Sequence, residues 1–343
     1  MKAAVVHGKD DIRIEEVPTP RAGAGEMVVR VRASGICATD VKTLLGQGLP
    51  KNLPTILGHE AVGEVHERGE GVVGFELGER VAVYPIAVCG ECYYCARGRH
   101  NLCLHEFGLG HGIDGGFAEY VRLPRQIVAI GGVLKIPDGL SFEEAAMAEP
   151  LSCGLAALRA NRVRPGDTVV VVGAGPMGLI HLKVSKWAGA RVIVADLMAR
   201  RLEVAAGMGA DHCVDVSRVS LQEQVMSLTG GAGAEAVVIS LGIPKVIEES
   251  LPLVRNGGVC NVFGGPPAGE TIAVDPRWLH YGEVILTGSF ASTPADFRKA
   301  LHLIASGEVR VEDLISDRFS LDAMLDAVER AKKQEMIKAV VLP

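Results

Sequence analysis

The chain has 343 residues, which at about 150 residues per domain predicts two domains with substantial cores. Its 35 Lys and Arg against 41 Asp and Glu leave a net charge of −6, and the scattered charges argue against a nucleic-acid partner. The longest apolar stretch, residues 169–180, is shorter than the roughly 20 residues that span a bilayer, so no membrane segment is expected. The N-terminal segment becomes charged before a signal-peptide core could form, which predicts a cytoplasmic protein.

Short strands and glycine turns fill the first 150 residues, a pattern typical of a β-barrel-like domain. Residues 28–33 alternate like a strand, and Cys37 follows that strand. His59 follows a turn-rich stretch, and Glu149 lies in a third segment. Each residue is weak evidence alone, since a single cysteine or histidine is more often packed or exposed. Together, a thiol, an imidazole and a carboxylate make a mixed ligand set that can leave a metal position open for substrate, as catalytic zinc sites do.

Four of the eight cysteines fall within residues 89–103, in the pattern C-x2-C-x2-C-x7-C formed by Cys89, Cys92, Cys95 and Cys103. Such short steps let four thiolates converge on one tetrahedral ion in a loop, so we expect a closed, structural zinc site. A disulfide pair and an iron–sulfur cluster are the alternatives. A closed site has no free position for substrate and therefore does not indicate the reaction.

In mid-chain, residues 168–172 form a continuous β-branched run suited to a strand buried on both faces. The G-x-G-x-x-G motif Gly173-Ala174-Gly175-Pro176-Met177-Gly178 follows it, and residues 179–188 read as a helix. A second strand, residues 191–195, ends at Asp196. This context predicts a dinucleotide site with the pyrophosphate at the helix N-terminus and the ribose hydroxyls on Asp196. Asp196 favours NAD over NADP, unless Arg200 and Arg201 neutralise its charge.

The strand and helix alternation continues downstream. Six strands are predicted in total, which favours a doubly wound parallel sheet and an α/β fold. The later strands and helices are expected at residues 199–207 (helix), 213–215 (strand), 220–229 (helix), 235–239 (strand), 245–254 (helix), 258–263 (strand) and 284–287 (strand). The tail has two helical stretches and a short strand at residues 339–342, and we expect it to pack back on the first domain.

In combination, these motifs resemble the zinc-dependent medium-chain alcohol dehydrogenase family, in its polyol and threonine dehydrogenase branch, over essentially the whole chain. The carrying motifs are Gly35 to Asp40, Gly58-His59-Glu60, the Cys89 to Cys103 loop, Glu149 to Ser152, the glycine motif, and Ile337 to Val341. The resemblance implies a GroES-like β-barrel catalytic domain (residues 1–150 and 289–343) and a Rossmann NAD-binding domain (residues 151–288). It also implies NAD-linked conversion of a secondary alcohol or polyol to a ketone, and a homo-oligomer, either a tetramer or a dimer.

The resemblance assigns two zinc ions per chain. Cys37, His59 and Glu149 would hold the catalytic one, with Glu60 able to exchange with water or with Glu149. Asp40 would accept the other ring N–H of His59, although it also reads as an ordinary helix cap, and Thr39 would hydrogen-bond the substrate hydroxyl. The positions it implies for the cofactor are Gly173, Gly175, Pro176, Met177, Gly178, Asp196, Arg201, Ser240, Gly264, Ser289, Phe290 and Lys338.

Three questions stay open on the sequence alone. Lys338 either lies near the cofactor phosphates or is a solvated lysine before the last strand. Lys42 occupies the position where many relatives have a proton-relay histidine, which counts against the alternative of L-threonine 3-dehydrogenase-type activity. A non-catalytic NAD-binding redox sensor is a further alternative. Cys153, Cys213 and Cys260 are expected to pack as small hydrophobic residues.

Overall fold

The chain forms two units that build their sheets differently, one mainly from antiparallel strands and the other from parallel strands. The computed structural model describes residues 1–48, 50 and 52–343. Residues 1–152 and 292–343 form unit 1, and residues 153–291 form unit 2.

Short strands dominate the first part of the chain, and strands alternate with helices in unit 2. Residues 1–152 contain β1 (Lys2–Gly8), β2 (Asp11–Glu16), β3 (Met27–Gly35), α1 (Ala38–Leu44), β4 (Thr55–Ile56), β5 (Glu60–Arg68), β6 (Arg80–Val83), β7 (Ile86–Ala87), β8 (Phe107–Leu109), β9 (Gly112–Ile113), β10 (Tyr120–Leu123), α2 (Arg125–Ala129), β11 (Val133–Lys135), α3 (Phe142–Ala146) and the start of α4 (Ala148–Ala160). Unit 2 contains β12 (Thr168–Val172), α5 (Pro176–Trp187), β13 (Arg191–Asp196), α6 (Ala199–Gly207), β14 (His212–Asp215), α7 (Leu221–Leu228), β15 (Ala234–Ile239), α8 (Pro244–Ser250), β16 (Val254–Val262), α9 (Pro276–Gly282) and β17 (Ile285–Gly288). The final stretch contains α10 (Pro294–Ala305), β18 (Ile315–Ser320), α11 (Met324–Lys332) and β19 (Lys338–Leu342).

The main sheet of unit 1 joins strands from both ends of the chain. Its strand order is β11-β6-β5-β3-β19-β18, and β10 also pairs with β3. Alternating apolar residues of β3, including Met27, Val29 and Val31, are buried with valines of β5 and β6, as expected for a sheet with one face in a core. The antiparallel register places Gly35 opposite both Glu60 of β5 and Val340 of β19. The sheet therefore brings the start of β5 and the C-terminal strand to the end of β3, where Cys37 follows.

Unit 2 is a six-stranded parallel sheet in the order β14-β13-β12-β15-β16-β17. Numbered from β12 this is the 3-2-1-4-5-6 order of a dinucleotide-binding fold, in which ligands bind where the order reverses, at the carboxyl ends of the first and fourth strands. The reversal lies between β12 and β15. Val169 to Val172 are all buried, which agrees with a strand covered on both faces. The glycine motif lies directly after β12, at this switch point.

One predicted helix is wrong at its end. The sequence pattern indicated a helix over residues 245–254, but α8 ends at Ser250 and a 3-10 turn, Leu251–Leu253, follows. Pro252 lies in that turn and cannot donate an amide hydrogen to continue the helix. Val254 then begins β16, which pairs with β15 four residues earlier than predicted, before the Gly257-Gly258 bend.

Among the described residues, the structure contains no helix of the length and apolarity that crossing a membrane requires.

Candidate active site

A thiol, an imidazole and a carboxylate meet at the end of β3. The ligand atoms of Cys37, His59 and Glu60 all lie within 4.8 Å of one another. Cys37 is the N-cap residue of α1, and His59 directly precedes β5, so the strand pairing described above holds them together. His59 retains 19% of its side-chain exposure, and Thr39 on the first turn of α1 is exposed. The group is therefore partly open to solvent, as a catalytic metal site requires.

Asp40 caps α1 and lies beside the His59 ring, but without the ring hydrogen bond that the resemblance implied. Its Oδ2 accepts a hydrogen bond of 2.8 Å from the Cys37 amide, and its Oδ1 accepts one of 3.3 Å from the Gly58 amide. The same Oδ1 lies 3.7 Å from His59 Nδ1, which is an ion-pair distance rather than a hydrogen bond. Burial lowers the pKa of His59, but the Asp40 and Cys37 charges outweigh burial and hold it well above its usual value. Asp40 thus caps the helix and orients the ring electrostatically.

The position of Lys338 contradicts one of the two sequence expectations. It is 4% exposed within β19, so it is not a solvated lysine before the last strand. Its Nζ donates hydrogen bonds to Glu60 Oε1 at 2.5 Å and to the Ile36 carbonyl at 2.9 Å, so it contacts the ligand group. Its place near the cofactor phosphates stays a prediction. Sequence reasoning missed the contact because Lys338 and Glu60 are 278 positions apart in the sequence and are brought together only when β19 pairs with β3.

Glu149 lies in the first turn of α4 and is not one of the three residues grouped around Cys37. Its charge helps to raise the pKa of Lys338, which places it in the same electrostatic environment. Ser152 Oγ lies 2.6 Å from the Glu149 carbonyl and 2.7 Å from Ser292 Oγ, and these hydrogen bonds fix the first turn of the helix. The structure therefore groups Glu60, rather than Glu149, with Cys37 and His59.

The four clustered cysteines converge on a single point in a loop with two 3-10 turns. Their sulfur atoms lie within 4.8 Å of one another, with 3.5 Å between Cys103 and Cys89 and 3.9 Å between Cys89 and Cys95. These separations exclude a disulfide, whose S–S bond is about 2.05 Å. They agree with the ~3.8 Å that separates two sulfurs on one tetrahedral zinc with Zn–S bonds of about 2.3 Å. All four residues fit a structural zinc ion.

Charges within this loop also favour a cation. Amides of Cys95 and Leu104 lower the pKa of Cys92 to about 6, whereas burial raises the pKa of Cys95 to about 12. Amides of Cys89 and His105 donate to Cys103 Sγ at 3.3 and 3.4 Å. The backbone thus stabilises thiolates, but burial prevents four of them from being charged together without a divalent ion.

In unit 2, the glycine motif forms the turn that a dinucleotide needs. Gly173 has φ +96°, a conformation that favours glycine, and a Cβ on Gly178 would lie 1.8 Å from the Gly173 carbonyl oxygen. Gly175 has open space above it, with Arg201 Nη1 4.0 Å from its Cβ position. Gly175 is the N-cap of α5 and Pro176 its first residue, so free amides of the helix N-terminus face that space.

Asp196 is fixed against this turn. Its Oδ2 accepts a hydrogen bond of 2.7 Å from the Ala174 amide and its Oδ1 one of 2.8 Å from the Met198 amide. Arg201 Nη1 lies 3.9 Å from Asp196 Oδ2. The carboxylate at the end of β13 is therefore held rigidly beside the glycine turn, with a guanidinium next to it.

The remaining predicted cofactor residues lie at the carboxyl ends of β15 to β17. Ser240 follows β15, Gly264 follows β16, and Ser289 and Phe290 follow β17, with Phe290 67% exposed. Sequence reasoning missed Asn261, which is fully buried and donates to Asn161 Oδ1 at 2.5 Å and to Ser289 Oγ at 2.9 Å. An Asn within an otherwise apolar strand was the available signal.

Comparison with known proteins agrees with this geometry. The Alcohol dehydrogenase GroES-like domain family matches residues 23–138, and the Zinc-binding dehydrogenase family matches residues 176–306. The chain belongs to the zinc-dependent medium-chain alcohol dehydrogenase family. The sorbitol dehydrogenase of Bacillus subtilis (strain 168) is 35% identical to this alcohol dehydrogenase family member, over 100% of this chain and 97% of its own length.

Solved structures give the same result. The alcohol dehydrogenase TADH from Thermus sp. ATN1 superimposes with a TM-score of 0.93 at 30% identity, covering 100% of this chain and 99% of that one. A zinc-binding dehydrogenase from Sinorhizobium meliloti 1021, solved with NADP bound, has a TM-score of 0.92 at 32% identity over 100% and 99% of the two chains. The predicted family and fold class are confirmed, and this medium-chain dehydrogenase is an oxidoreductase.

Proposed function

We propose that this chain is an NAD-linked zinc dehydrogenase that oxidises a secondary alcohol or polyol to the ketone. The observation that carries the proposal is the partly exposed group of Cys37, His59 and Glu60, whose ligand atoms lie within 4.8 Å of one another. Sorbitol dehydrogenase, which is similar over the full length, supports a polyhydroxy substrate. The intact ligand group argues against the alternative of a redox sensor that has lost catalysis.

When bound, a zinc ion would supply a Lewis acid that lowers the pKa of a substrate hydroxyl, and NAD would supply the hydride acceptor. Cys37 and His59 would hold the metal with a carboxylate from Glu60 or Glu149. Thr39 is exposed two residues beyond Cys37, with its Oγ1 3.6 Å from Cys37 Sγ, where its hydroxyl can accept the proton that the substrate loses. Lys42, on the same short helix, is exposed and occupies the position where many relatives have a proton-relay histidine. Since Thr39 is exposed as well, the proton can pass from Thr39 directly to water.

The experiment that tests the reaction is an oxidation screen with NAD over polyols, inositols, sugars, L-threonine, butanediol and short secondary alcohols. We expect turnover of a polyol or secondary alcohol, with two zinc ions per chain by metal analysis. Turnover of L-threonine alone would favour the threonine-type alternative. No oxidation of any class by zinc-loaded protein would contradict the proposal.

Cofactor choice has its own test at Asp196. Its fixed carboxylate would accept hydrogen bonds from ribose hydroxyls and repel a 2′-phosphate, so we propose NAD as the cofactor. In Asp196→Ala we expect the preference for NAD over NADP to fall by about tenfold or more, the effect of about 1.4 kcal/mol of lost discrimination. The relative from Sinorhizobium meliloti 1021 was solved with NADP bound, so a preference for NADP in the unmutated protein is the outcome that would contradict this proposal. If the unmutated protein prefers NADP, Arg201 rather than Asp196 sets the choice.

We further propose a cytoplasmic homo-oligomer, either a tetramer or a dimer. None of the eight cysteines, all of which lie in the described part of the chain, forms a disulfide, which supports a reducing compartment. Light scattering coupled to gel filtration would measure the oligomeric state, and a monomer would contradict this part of the proposal.

A further inference from the structure

A buried amide side chain lies in the second half of β16, where its neighbours in the strand are apolar. Asn261 is fully buried, and Val259 and Cys260 directly before it are buried as well. An amide in such surroundings lowers stability unless its polar atoms all have partners. Asn261 is also not among the positions that the family resemblance implies for the cofactor, so its presence in the strand has no explanation in the motifs.

The Asn261 side chain connects three segments of unit 2. Its Nδ2 donates to Asn161 Oδ1 at 2.5 Å and to Ser289 Oγ at 2.9 Å. Asn161 follows the last residue of α4 and is 4% exposed, and Ser289 follows the last residue of β17. Both hydrogens of the amide nitrogen are used in this way, so the two bonds fix the orientation of the amide group.

Packing alone does not favour an asparagine at this position. Asn261 Oδ1 is buried and has no hydrogen-bond partner among the described residues. A valine would suit a buried strand and would leave no unsatisfied acceptor there. The side chain therefore places an unsatisfied oxygen in the interior in order to donate two hydrogen bonds, which indicates a function for at least one of them.

The bond from Asn261 determines how the Ser289 hydroxyl can bond to a ligand. The hydroxyl oxygen accepts from Asn261, so its own hydrogen is directed away from that side chain and can be donated to another acceptor. The Ser289 amide donates to the Val262 carbonyl at 3.3 Å, which holds the residue against β16. Ser289 is half-buried between the exposed Gly288 and Phe290, so a ligand can reach its hydroxyl.

Ser289 lies at the part of the sheet that binds the second half of a dinucleotide. In a sheet of this order, the first three strands bind one mononucleotide and the last three bind the other. Asp196, the predicted ligand of the adenosine ribose, ends β13, which is the second strand, whereas β17 is the sixth. A donor directly after β17 therefore belongs to the nicotinamide half, whose carboxamide and ribose both carry acceptor oxygens.

We propose that Asn261 is a positioning residue that holds the Ser289 hydroxyl as a hydrogen-bond donor to the nicotinamide half of the dinucleotide. Asn161 holds the other side of the amide nitrogen and so prevents Asn261 from rotating. The inference rests on the proposed function, because it requires a dinucleotide at the carboxyl edge of this sheet. It is independent of the metal and of the alcohol that is oxidised.

The test compares the binding of NADH with that of ADP, which contains the adenosine half without the nicotinamide half. Isothermal titration of the full-length protein measures both dissociation constants. In Asn261→Val we expect the dissociation constant of NADH to rise by about tenfold, the effect of one lost hydrogen bond, and that of ADP to change by less than about twofold. Asn256→Val is the matched control, since Asn256 is exposed at the other end of β16 and should change neither constant.

Variants of Ser289 identify the donor. Ser289→Ala should weaken NADH binding by about the same tenfold factor, and Ser289→Thr, which keeps the hydroxyl, should restore it. The double variant with Asn261→Val and Ser289→Ala should bind NADH no more than about twofold more weakly than either single variant, because both changes remove the same donor.

The outcomes separate this inference from the proposed function. Equal losses of NADH and ADP affinity in Asn261→Val would mean that the asparagine only supports the sheet, and the inference would be wrong. Unchanged NADH binding, or losses that add in the double variant, would overturn it as well. If the unmutated protein does not bind NADH, the proposed NAD-linked function fails instead. If Asn261→Val does not keep the thermal transition of the unmutated protein, Asn261→Ser, whose single hydroxyl hydrogen cannot serve both acceptors, takes its place with the same criteria.

Discussion

The two metal-ligand groups of unit 1 differ in how far along the sequence their residues lie. The four cysteines of residues 89–103 converge within one loop. Cys37, His59 and Glu60 meet through the pairing of β3 with β5, and Lys338 joins them from β19. A local group needs little more than its own loop and an ion, whereas a dispersed group depends on the register of a whole sheet. The four-cysteine group can therefore form a structural site within its own loop. The geometry of the Cys37, His59 and Glu60 group depends instead on residues of several neighbouring strands.

Exposure of the ligands does not separate the two groups, because each combines two half-buried ligands with buried ones. The difference lies in the ligand chemistry, since a thiol, an imidazole and a carboxylate beside the exposed Thr39 can leave a metal position open for substrate. Four thiolates also complete a tetrahedral ion, leaving no position for substrate. Removing a ligand should consequently affect stability in one group and chemistry in the other.

The largest expected effect is on activity in His59→Ala. Loss of the imidazole should remove the catalytic zinc and reduce activity by about 10³-fold or more, because ligand, metal and substrate act as one unit. Metal analysis should fall from two zinc ions per chain to one. The thermal transition should change little, because the four-cysteine loop is untouched. A variant that retained two zinc ions would contradict the assignment of His59.

Cys95→Ser should show the opposite pattern. Binding energy of a structural zinc is folding energy, so losing one buried thiolate should lower the stability of unit 1 by about 3 kcal/mol or more. For a unit of this size that corresponds to a fall in the melting temperature of about 6 °C or more. Cys213 of unit 2 was expected to pack as a small hydrophobic residue but is exposed, so Cys213→Ser is the matched control and should leave the transition unchanged. Equal shifts in the two variants would remove the distinction between the groups.

A smaller effect is expected from Asp40→Asn. The amide oxygen can still accept the hydrogen bond from the Cys37 amide, but the charge 3.7 Å from His59 Nδ1 is lost. Removing such a supporting carboxylate costs about 10- to 100-fold in metal affinity or activity. Zinc affinity of the catalytic site should fall while the structural zinc stays bound. Unchanged affinity would mean that Asp40 acts only as the helix cap.

Local patterns predicted the cysteine loop, the glycine turn and β12 at residues 168–172, because each depends on residues that are close in sequence. The sequence also indicated Cys37, His59 and Glu149 but could not decide which carboxylate accompanies the thiol. That choice depends on the opposition of Gly35 and Glu60 across two strands. The burial of Lys338 was missed for the same reason, since it follows from a strand pairing between the two ends of the chain. The end of α8 at Ser250 was misplaced although Pro252 was visible, because the apolar periodicity continued past it.

Acid sensitivity gives the effect that is smallest at neutral pH, and it concerns a residue remote from both metal groups in the sequence. His181 of α5 is buried, its ring packs against Phe263 with 4.4 Å between centroids, and its Nε2 has no partner among the described residues. Burial lowers the pKa of His181 to about 3. Between that value and the ordinary pKa of about 6.5, the unfolded chain binds a proton that the folded chain does not, so stability must fall as the pH falls.

His181→Leu should remove this contribution. One proton corresponds to about 1.4 kcal/mol per pH unit, present below about pH 6.5 and absent above it. The measurement is urea unfolding at several pH values between 4 and 8, with the difference in slope between the two proteins as the result. His302→Leu, at an exposed histidine of α10, controls for loss of a titrating ring. If the two proteins have the same slope, His181 does not cause the acid sensitivity, and other titrating groups, such as carboxylates with lowered pKa values, account for it.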